Sequence, residues 1–178
     1  FVYTNFPKAE LFINGKSQGV REKNDSTYQN RYRLMWNETV YEPGELRVVA
    51  YDAAGNPVAE KTVRTAGKPH HLVVTPNRSE IAADGDDLVY FTVQVADKDG
   101  NIVPTDSREV DFKVSGAGAF EATANGDPTC LMPFQDPKMK LFSGAATAIA
   151  RSGKTPGTLT FKASAKGVKD AVVTIPVK

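Results

Sequence analysis

The chain has 178 residues, 40% of them hydrophobic, with 22 Lys and Arg against 21 Asp and Glu and a formal net charge of +1. That length holds one ordinary domain or two small ones with packed cores, and the near-neutral balance supplies no field to hold nucleic acid or an anionic membrane. No apolar run nears the ~20 residues of a bilayer span and no basic-then-apolar leader opens the sequence, so neither nucleic-acid binding nor membrane insertion is expected.

In chain order, Val2-Tyr3-Thr4-Asn5 reads as the end of a strand whose beginning is missing, and so as a fragment of something longer. Leu11 and Ile13 alternate with Phe12 ahead of Asn14-Gly15, a pair that tolerates the positive φ of a type I′ turn, and Ser17 to Val20 return the hairpin. After a polar loop from Arg21 to Asn30, Tyr32, Leu34 and Trp36 alternate with Arg31, Arg33 and Met35, the period of a half-buried strand. The in-phase Trp36 is expected in the core, like the central-strand tryptophan of many immunoglobulin-like domains. Pro43-Gly44 turns into a strand from Glu45 to Tyr51, and Asp52 to Pro57 turns into another from Val58 to Arg64.

Thr65-Ala66-Gly67-Lys68-Pro69 lacks periodicity and carries both chain-punctuating residues, which places a domain boundary there and gives domains 1–66 and 67–178. Beyond it, strands are expected at His71 to Thr75, Ile81-Ala82, Leu88 to Ala96, Ile102-Val103, Val110 to Val114, Ala119 to Ala122, Phe142 to Ala150, Gly157 to Ala165 and Ala171 to Val177. Turn residues recur roughly every 8–12 positions, the rhythm of a sandwich. Ala145 to Arg151 is alanine-rich but has neither caps nor a 3.6-residue stripe, so it too reads as strand. The fold class is all-β, two tandem immunoglobulin-like antiparallel β-sandwiches. Without amphipathic helices between strands, neither a nucleotide-binding sheet nor a β/α barrel can be assembled. Gly116-Ala117-Gly118 precedes no helix and reads as a turn or bulge, not a phosphate loop.

The chemistry-bearing residues are sparse. Asp97-Lys98-Asp99-Gly100-Asn101 resembles the start of a calcium loop, but its twelfth position is Arg108 where a bidentate Glu is needed, so it reads as a hairpin turn. Asp84-Gly85-Asp86-Asp87 reads likewise as a solvated turn. As neighbours on an extended segment, His70 and His71 should point to opposite faces, a poor geometry for shared ligation. Cys130, the single cysteine, sits among Pro128, Leu131, Met132 and Pro133 and reads as inert and partly buried. Acids confined to water-screened turns have no means of raising a pKa, so no glycosidase-type acid pair is visible. No catalytic residue, metal ligand or cofactor is assigned. Phe91, Phe112, Phe120, Phe142 and Phe161 fall in strand patterns and are expected mostly in the core, whereas Phe134 lies in the long non-repetitive segment Asn125 to Lys140. If any loop recognises a ligand or the rest of a parent protein it is that one, with Asn125, Gly126, Asp127 and Phe134 as candidates.

Taken in order, these segments resemble the C-terminal region of bacterial glycoside hydrolase family 2 enzymes of the β-galactosidase type, as in Bacteroides-like gut bacteria. The resemblance rests on Glu10-Leu11-Phe12-Ile13-Asn14-Gly15-Lys16-Ser17, Trp36 through Tyr41 and Pro43-Gly44-Glu45-Leu46 in the first domain. In the second it rests on Ile81-Ala82-Ala83-Asp84-Gly85, Val110-Asp111-Phe112, Asn125-Gly126-Asp127-Pro128 and Phe142-Ser143-Gly144. Where such enzymes are often acidic after Asn-Gly-Asp-Pro, this chain reads Thr129-Cys130-Leu131-Met132. The resemblance implies a non-catalytic accessory scaffold whose partner is the catalytic barrel of the same polypeptide, with polysaccharide as a further partner and a periplasmic or extracellular location. A glycan-binding module and a surface-adhesion or spacer domain are the alternative readings.

Overall fold

The computed structural model describes residues 1–178, which divide into two compact units, Phe1–Thr65 and Ala66–Lys178. The fold is all-β, built from three four-stranded sheets with antiparallel strand pairing, in the manner of immunoglobulin-like sandwiches. No helix is long and apolar enough to cross a membrane.

In the first unit the sheet order is β2-β1-β3-β4, formed by β1 (Lys8–Ile13), β2 (Lys16–Glu22), β3 (Glu45–Tyr51) and β4 (Pro57–Arg64). Ile13 pairs with Lys16 across the two-residue turn, and Asn14 and Gly15 both have positive φ, 49° and 79°, as a type I′ hairpin requires. Period-two alternation puts Ala9 opposite Ala50 and Leu11 opposite Val48 on one face. That face meets Leu34, Trp36, Val2 and Phe6, which complete a small core.

The strand expected from Arg31 to Trp36 does not form. Thr27 accepts a hydrogen bond from Asn30 N–H at 3.1 Å through its hydroxyl, capping a short helix, α1 (Tyr28–Tyr32). Tyr28 and Tyr32, four apart, meet edge to face with ring centroids 5.1 Å apart. Extended pairing survives only at Leu34, which exchanges two backbone hydrogen bonds of 2.9 Å with Val2. A two-stranded bridge thus stands where a full second sheet is expected. Trp36 is nonetheless buried, and its indole N–H donates to Gly19 O at 3.0 Å.

The second unit holds two sheets. One has the order β5-β6-β10-β8, from β5 (His71–Pro76), β6 (Leu88–Ala96), β8 (Gly118–Ala124) and β10 (Ala145–Ser152). The other has the order β12-β11-β7-β9, from β7 (Glu109–Gly116), β9 (Lys138–Lys140), β11 (Gly157–Ser164) and β12 (Ala171–Val177). Their inner faces meet around Phe91 of β6, which stacks on Phe161 of β11 at 4.1 Å, with Phe112 of β7 stacked beyond it. The alternating strand Ala145–Ser152 buries every second residue, as the lack of helix caps implies. Gly116 carries the chain from one sheet to the other at φ +85°, where a Cβ would lie 2.1 Å from Thr158 O. Ile81 and Ile102, read as strand residues, make only isolated bridges, to Val177 and Ala96. Phe142, expected inside, is 45% exposed because it lies before the Ser143-Gly144 turn that starts β10.

Candidate functional site

The candidates Asn125, Gly126, Asp127 and Phe134 share one loop between β8 and β9, tied across itself at two levels. Thr123 N–H donates to Phe134 O at 2.7 Å, and Asn125 Nδ2 donates to Lys140 O at 2.9 Å. Asn125 Oδ1 also accepts from Asp127 N–H at 3.0 Å, across Gly126 at φ +77°. Asp127 Oδ1 then accepts from Thr129 N–H and hydroxyl at 2.8 and 2.7 Å, which holds its carboxyl below the usual carboxylate range. The polar members are therefore committed to the loop's own folding. Two large apolar side chains project outward, Leu131 at 96% exposed and Phe134 at 59%, beside the exposed Thr129 and Gln135. Just before Leu131, Cys130 is half-buried against the core, with its Sγ 3.8 Å from Met139 Sδ.

The acidic turns behave differently from simple solvated loops. Asp97 is buried, and its carboxylate accepts from Asp99, Asn101 and Gly67 N–H and from Asn101 Nδ2 at 2.7–3.0 Å. Led by the Gly67 N–H, these bonds pull its pKa far below the usual range. Four donors occupy the lone pairs that a cation would need. Asp84 accepts from Asp86 and Asp87 N–H, and Asp87 accepts from Ala82 N–H and from Arg78, so both are likewise held ionised. Asp106, also buried, takes three hydrogen bonds from the Arg108 guanidinium and one from its N–H, at 2.6–3.0 Å. Arg108 in turn donates to Lys166 O at 2.8 Å, clamping two loops together. The expectation that water screens every acid fails for Asp97 and Asp106; hydrogen bonding rather than hydration keeps them charged.

His70 and His71 do not point apart. His70 precedes β5, so strand alternation does not apply to it, and the two Nδ1 atoms lie 3.1 Å from each other. One must donate and the other accept, which fixes complementary tautomers.

One further feature escaped sequence reasoning. In the first unit a cleft of about 410 Å³ opens between the β1–β2 hairpin and the loop before β3, lined by Ile13, Lys16, Gln18, Glu38, Val40 and Glu42 among others. Its walls are fastened: Asn14 Oδ1 accepts from Glu45 N–H at 2.8 Å and its Nδ2 donates to Pro43 O at 3.2 Å, while the Thr39 hydroxyl donates to Trp36 O at 3.0 Å. Lys16, Glu38 and Glu42 enter none of the nine ion pairs of the chain. In the sequence these residues look like ordinary solvated turn charges, and only the folded loop brings them round one depression.

Against known proteins, residues 72–174 match the family model described as glycoside hydrolase family 2 C-terminal domain 5, and residues 1–59 match that of a domain of unknown function, DUF4982. The chain belongs to the glycoside hydrolase family 2 C-terminal domain 5 family. Beta-galactosidase BoGH2A of Bacteroides ovatus is 38% identical over 173 residues, 97% of this chain and 20% of the relative. A glycosyl hydrolase family 2 member from Bacteroides cellulosilyticus superposes with a TM-score of 0.88 at 32% identity, covering 99% of this chain and 22% of that one. A beta-glycosidase from Bacteroides vulgatus superposes at 0.87 with 26% identity, over 97% of this chain and 21% of that one. The chain therefore spans about a fifth of the length of these relatives.

Proposed function

We propose that this chain is a non-catalytic accessory scaffold of a β-galactosidase-like family 2 glycoside hydrolase, working beside the catalytic barrel of the same polypeptide in the periplasm or outside the cell. The observation that carries the reading is the match of residues 72–174 to a C-terminal domain of that enzyme family. The ionisation pattern supports it. Glycoside hydrolysis needs one carboxylic acid whose pKa is raised so that it can donate a proton. Here every carboxylate that the fold shifts is shifted downward by hydrogen-bond donors: Asp52, Asp84, Asp87, Asp97, Asp106, Glu121 and Asp127. These groups are suited to holding turns and, for Glu121, to pairing with Arg151 on the neighbouring strand, not to giving up protons.

Within this role the Leu131–Phe134 loop tip is a contact surface for another part of the polypeptide. Asn125 and Asp127, bonded into the loop itself, are not free to read sugar hydroxyls beside Phe134, which disfavours glycan capture through them. The test is direct. The purified 178-residue chain, incubated with p-nitrophenyl β-galactoside, should release no nitrophenol above the buffer rate. Hydrolysis that scales with its concentration and survives repurification would overturn the accessory reading.

A further inference from the structure

We propose that the open edge of β4 joins two copies of this chain as an antiparallel, two-fold symmetric strand pair, with Thr62 of one copy facing Thr62 of the other. Three sheets leave six edge strands, and five of them are blunted. β2 slips register against β1 between Glu10 and Phe12 and passes through Gly19 at φ +86°, whose carbonyl accepts from the Trp36 indole N–H. β8 is covered where Thr123 N–H donates to Phe134 O. β9 is only three residues long. At the edges of β5 and β12, Leu72 N–H donates to Lys169 O and Lys169 N–H to His70 O, while Ile81 N–H donates to Pro176 O and Lys178 N–H to Ile81 O. β4 has no such cover. Ala59 to Arg64 keep unbroken register with β3, all but Thr62 are exposed, and no strand lies on their far side.

The ladder sets which backbone groups are free. Thr65 N–H donates to Gly44 O, and bonded pairs alternate along an antiparallel ladder, so Val63, Lys61 and Ala59 turn their N–H and C=O toward β3. Glu60, Thr62 and Arg64 therefore turn theirs to the open side. A two-fold copy that sets Thr62 against Thr62 also sets Glu60 against Arg64 on both sides of the axis, and all three pairs fall in bonding phase. Their side chains share the face of Glu45 and Arg47, to which Arg64 and Glu60 are paired at 2.6 and 3.0 Å. Across the seam the charges then alternate in sign: Glu45 and Arg64 of one copy, Glu60 and Arg47 of the other. On the opposite face Val63, 58% exposed, meets the methylene stem of Lys61. Neighbouring registers in the same phase are poorer. Sliding one way sets Lys61 against Lys61 or Glu60 against Glu60; sliding the other sets Val63 against Val63 and forfeits both charge pairs. A single strand edge buries less than a standard interface, so the dimer is weak and depends on concentration.

The experiment is sedimentation equilibrium of the 178-residue chain at concentrations from about 5 μM to about 1 mM. The weight-average mass should rise from 19.3 kDa toward twice that value, with a dissociation constant on the order of 0.1 mM. Thr62→Pro removes an outward N–H at a position where an edge strand tolerates proline, and should abolish the rise. Glu60→Arg and Arg64→Glu should each weaken self-association about tenfold, because like charges then face each other on both sides of the axis. Mixed in equal amounts, those two variants should regain the affinity of the unmodified chain, since every Arg of one meets a Glu of the other. Unchanged Trp36 fluorescence will show that the first unit is folded in each variant. A chain that stays monomeric at about 1 mM, a dimer indifferent to Thr62→Pro, or a mixture no tighter than its separate components would each overturn the proposal. None of these outcomes bears on the accessory reading, which hydrolysis tests.

Discussion

The two units solve the same packing problem with different amounts of material. In the second, two four-stranded sheets close over a core of nineteen buried residues that runs from Leu72 to Val177 and includes the Phe91–Phe161 stack. In the first, one sheet faces the Val2–Leu34 bridge across five buried residues: Ala9, Leu11, Leu34, Trp36 and Ala50. Buried apolar area is the main source of stability and conformational entropy its main cost, so the second unit has far more to lose per core residue and less room to relax. A thin core can collapse round a deletion; a close-packed one cannot. The single tryptophan, Trp36, lies in the first unit, so its fluorescence follows that unit while far-UV circular dichroism follows both.

The sharpest test of the contrast is a pair of truncations. Phe161 is fully buried between two aromatic rings, and Phe161→Ala should cost about 3–5 kcal/mol, read as a lower urea midpoint in circular dichroism. Leu34→Ala, in the thin core of the first unit, should cost about 2–3 kcal/mol by Trp36 fluorescence, the low end for such a change. Equal losses would mean that the first unit is packed as rigidly as the second.

Backbone crowding should repeat the pattern on a smaller scale. At Gly116 an added Cβ meets Thr158 O at 2.1 Å and the φ of +85° is itself unfavourable, so Gly116→Ala is expected to cost about 3 kcal/mol. Gly55 in the first unit has a similar φ of +89° but open space round its Cβ position. Gly55→Ala should therefore cost only the backbone term, about 1 kcal/mol. Similar values at the two sites would show that strain in φ, and not the sheet-to-sheet approach, governs Gly116.

Acid should separate the units next. Six of the carboxylates with lowered pKa lie in the second unit and one, Asp52, in the first. A carboxylate whose folded pKa is depressed stabilises the fold fully above its unfolded value, about 3.9 for Asp, and loses that contribution as pH falls through the folded value. Between pH 5 and pH 2.5 the circular dichroism midpoint in urea should drop more than the Trp36 midpoint. Asp97→Asn, which keeps the shape but removes the charge that four N–H donors surround, should flatten part of that dependence. A steeper acid response from Trp36 would contradict the assignment.

How much of this was readable beforehand depends on whether local chemistry or distant partners decided each element. Asn14-Gly15 and Leu88 to Ala96 were legible because turn type and period-two burial are written within a few residues. Tyr32 and Leu34 mislead because their alternation starts on the last residue of α1, where the Thr27 cap wins locally; Thr27 itself is the overlooked signal. The three-residue β9 has no pattern of its own and exists because β7 offers it a partner at Val110. The cleft was illegible for a related reason. Lys16 and Gln18 lie some twenty residues from Glu38 and Glu42, and their shared depression is produced by Asn14 reaching Pro43 and Glu45. The segment from Asn125 to Lys140, read as non-repetitive, is irregular as far as Pro137 and strand from Lys138, and which of its side chains face outward depends on bonds to Thr123 and Lys140.

That loop also supplies the smallest effect and the one most tied to role. Leu131 and Phe134 are exposed, so Leu131→Ser and Phe134→Ser should each change the stability of the 178-residue chain by less than about 0.5 kcal/mol in either unit. Neither side chain is needed to hold the loop: its closure runs through Phe134 O and Asn125 Nδ2, and the first of these is backbone that the substitution retains. Asn125→Ala, by contrast, removes two hydrogen bonds at once and should cost about 1–2 kcal/mol. Cys130 and Met132 of this loop pack against the core, whereas Leu131 and Phe134 are left outside it. If Phe134→Ser instead destabilised the second unit as much as Asn125→Ala does, Phe134 would be a core residue in solution and the outward surface assigned to it would not exist.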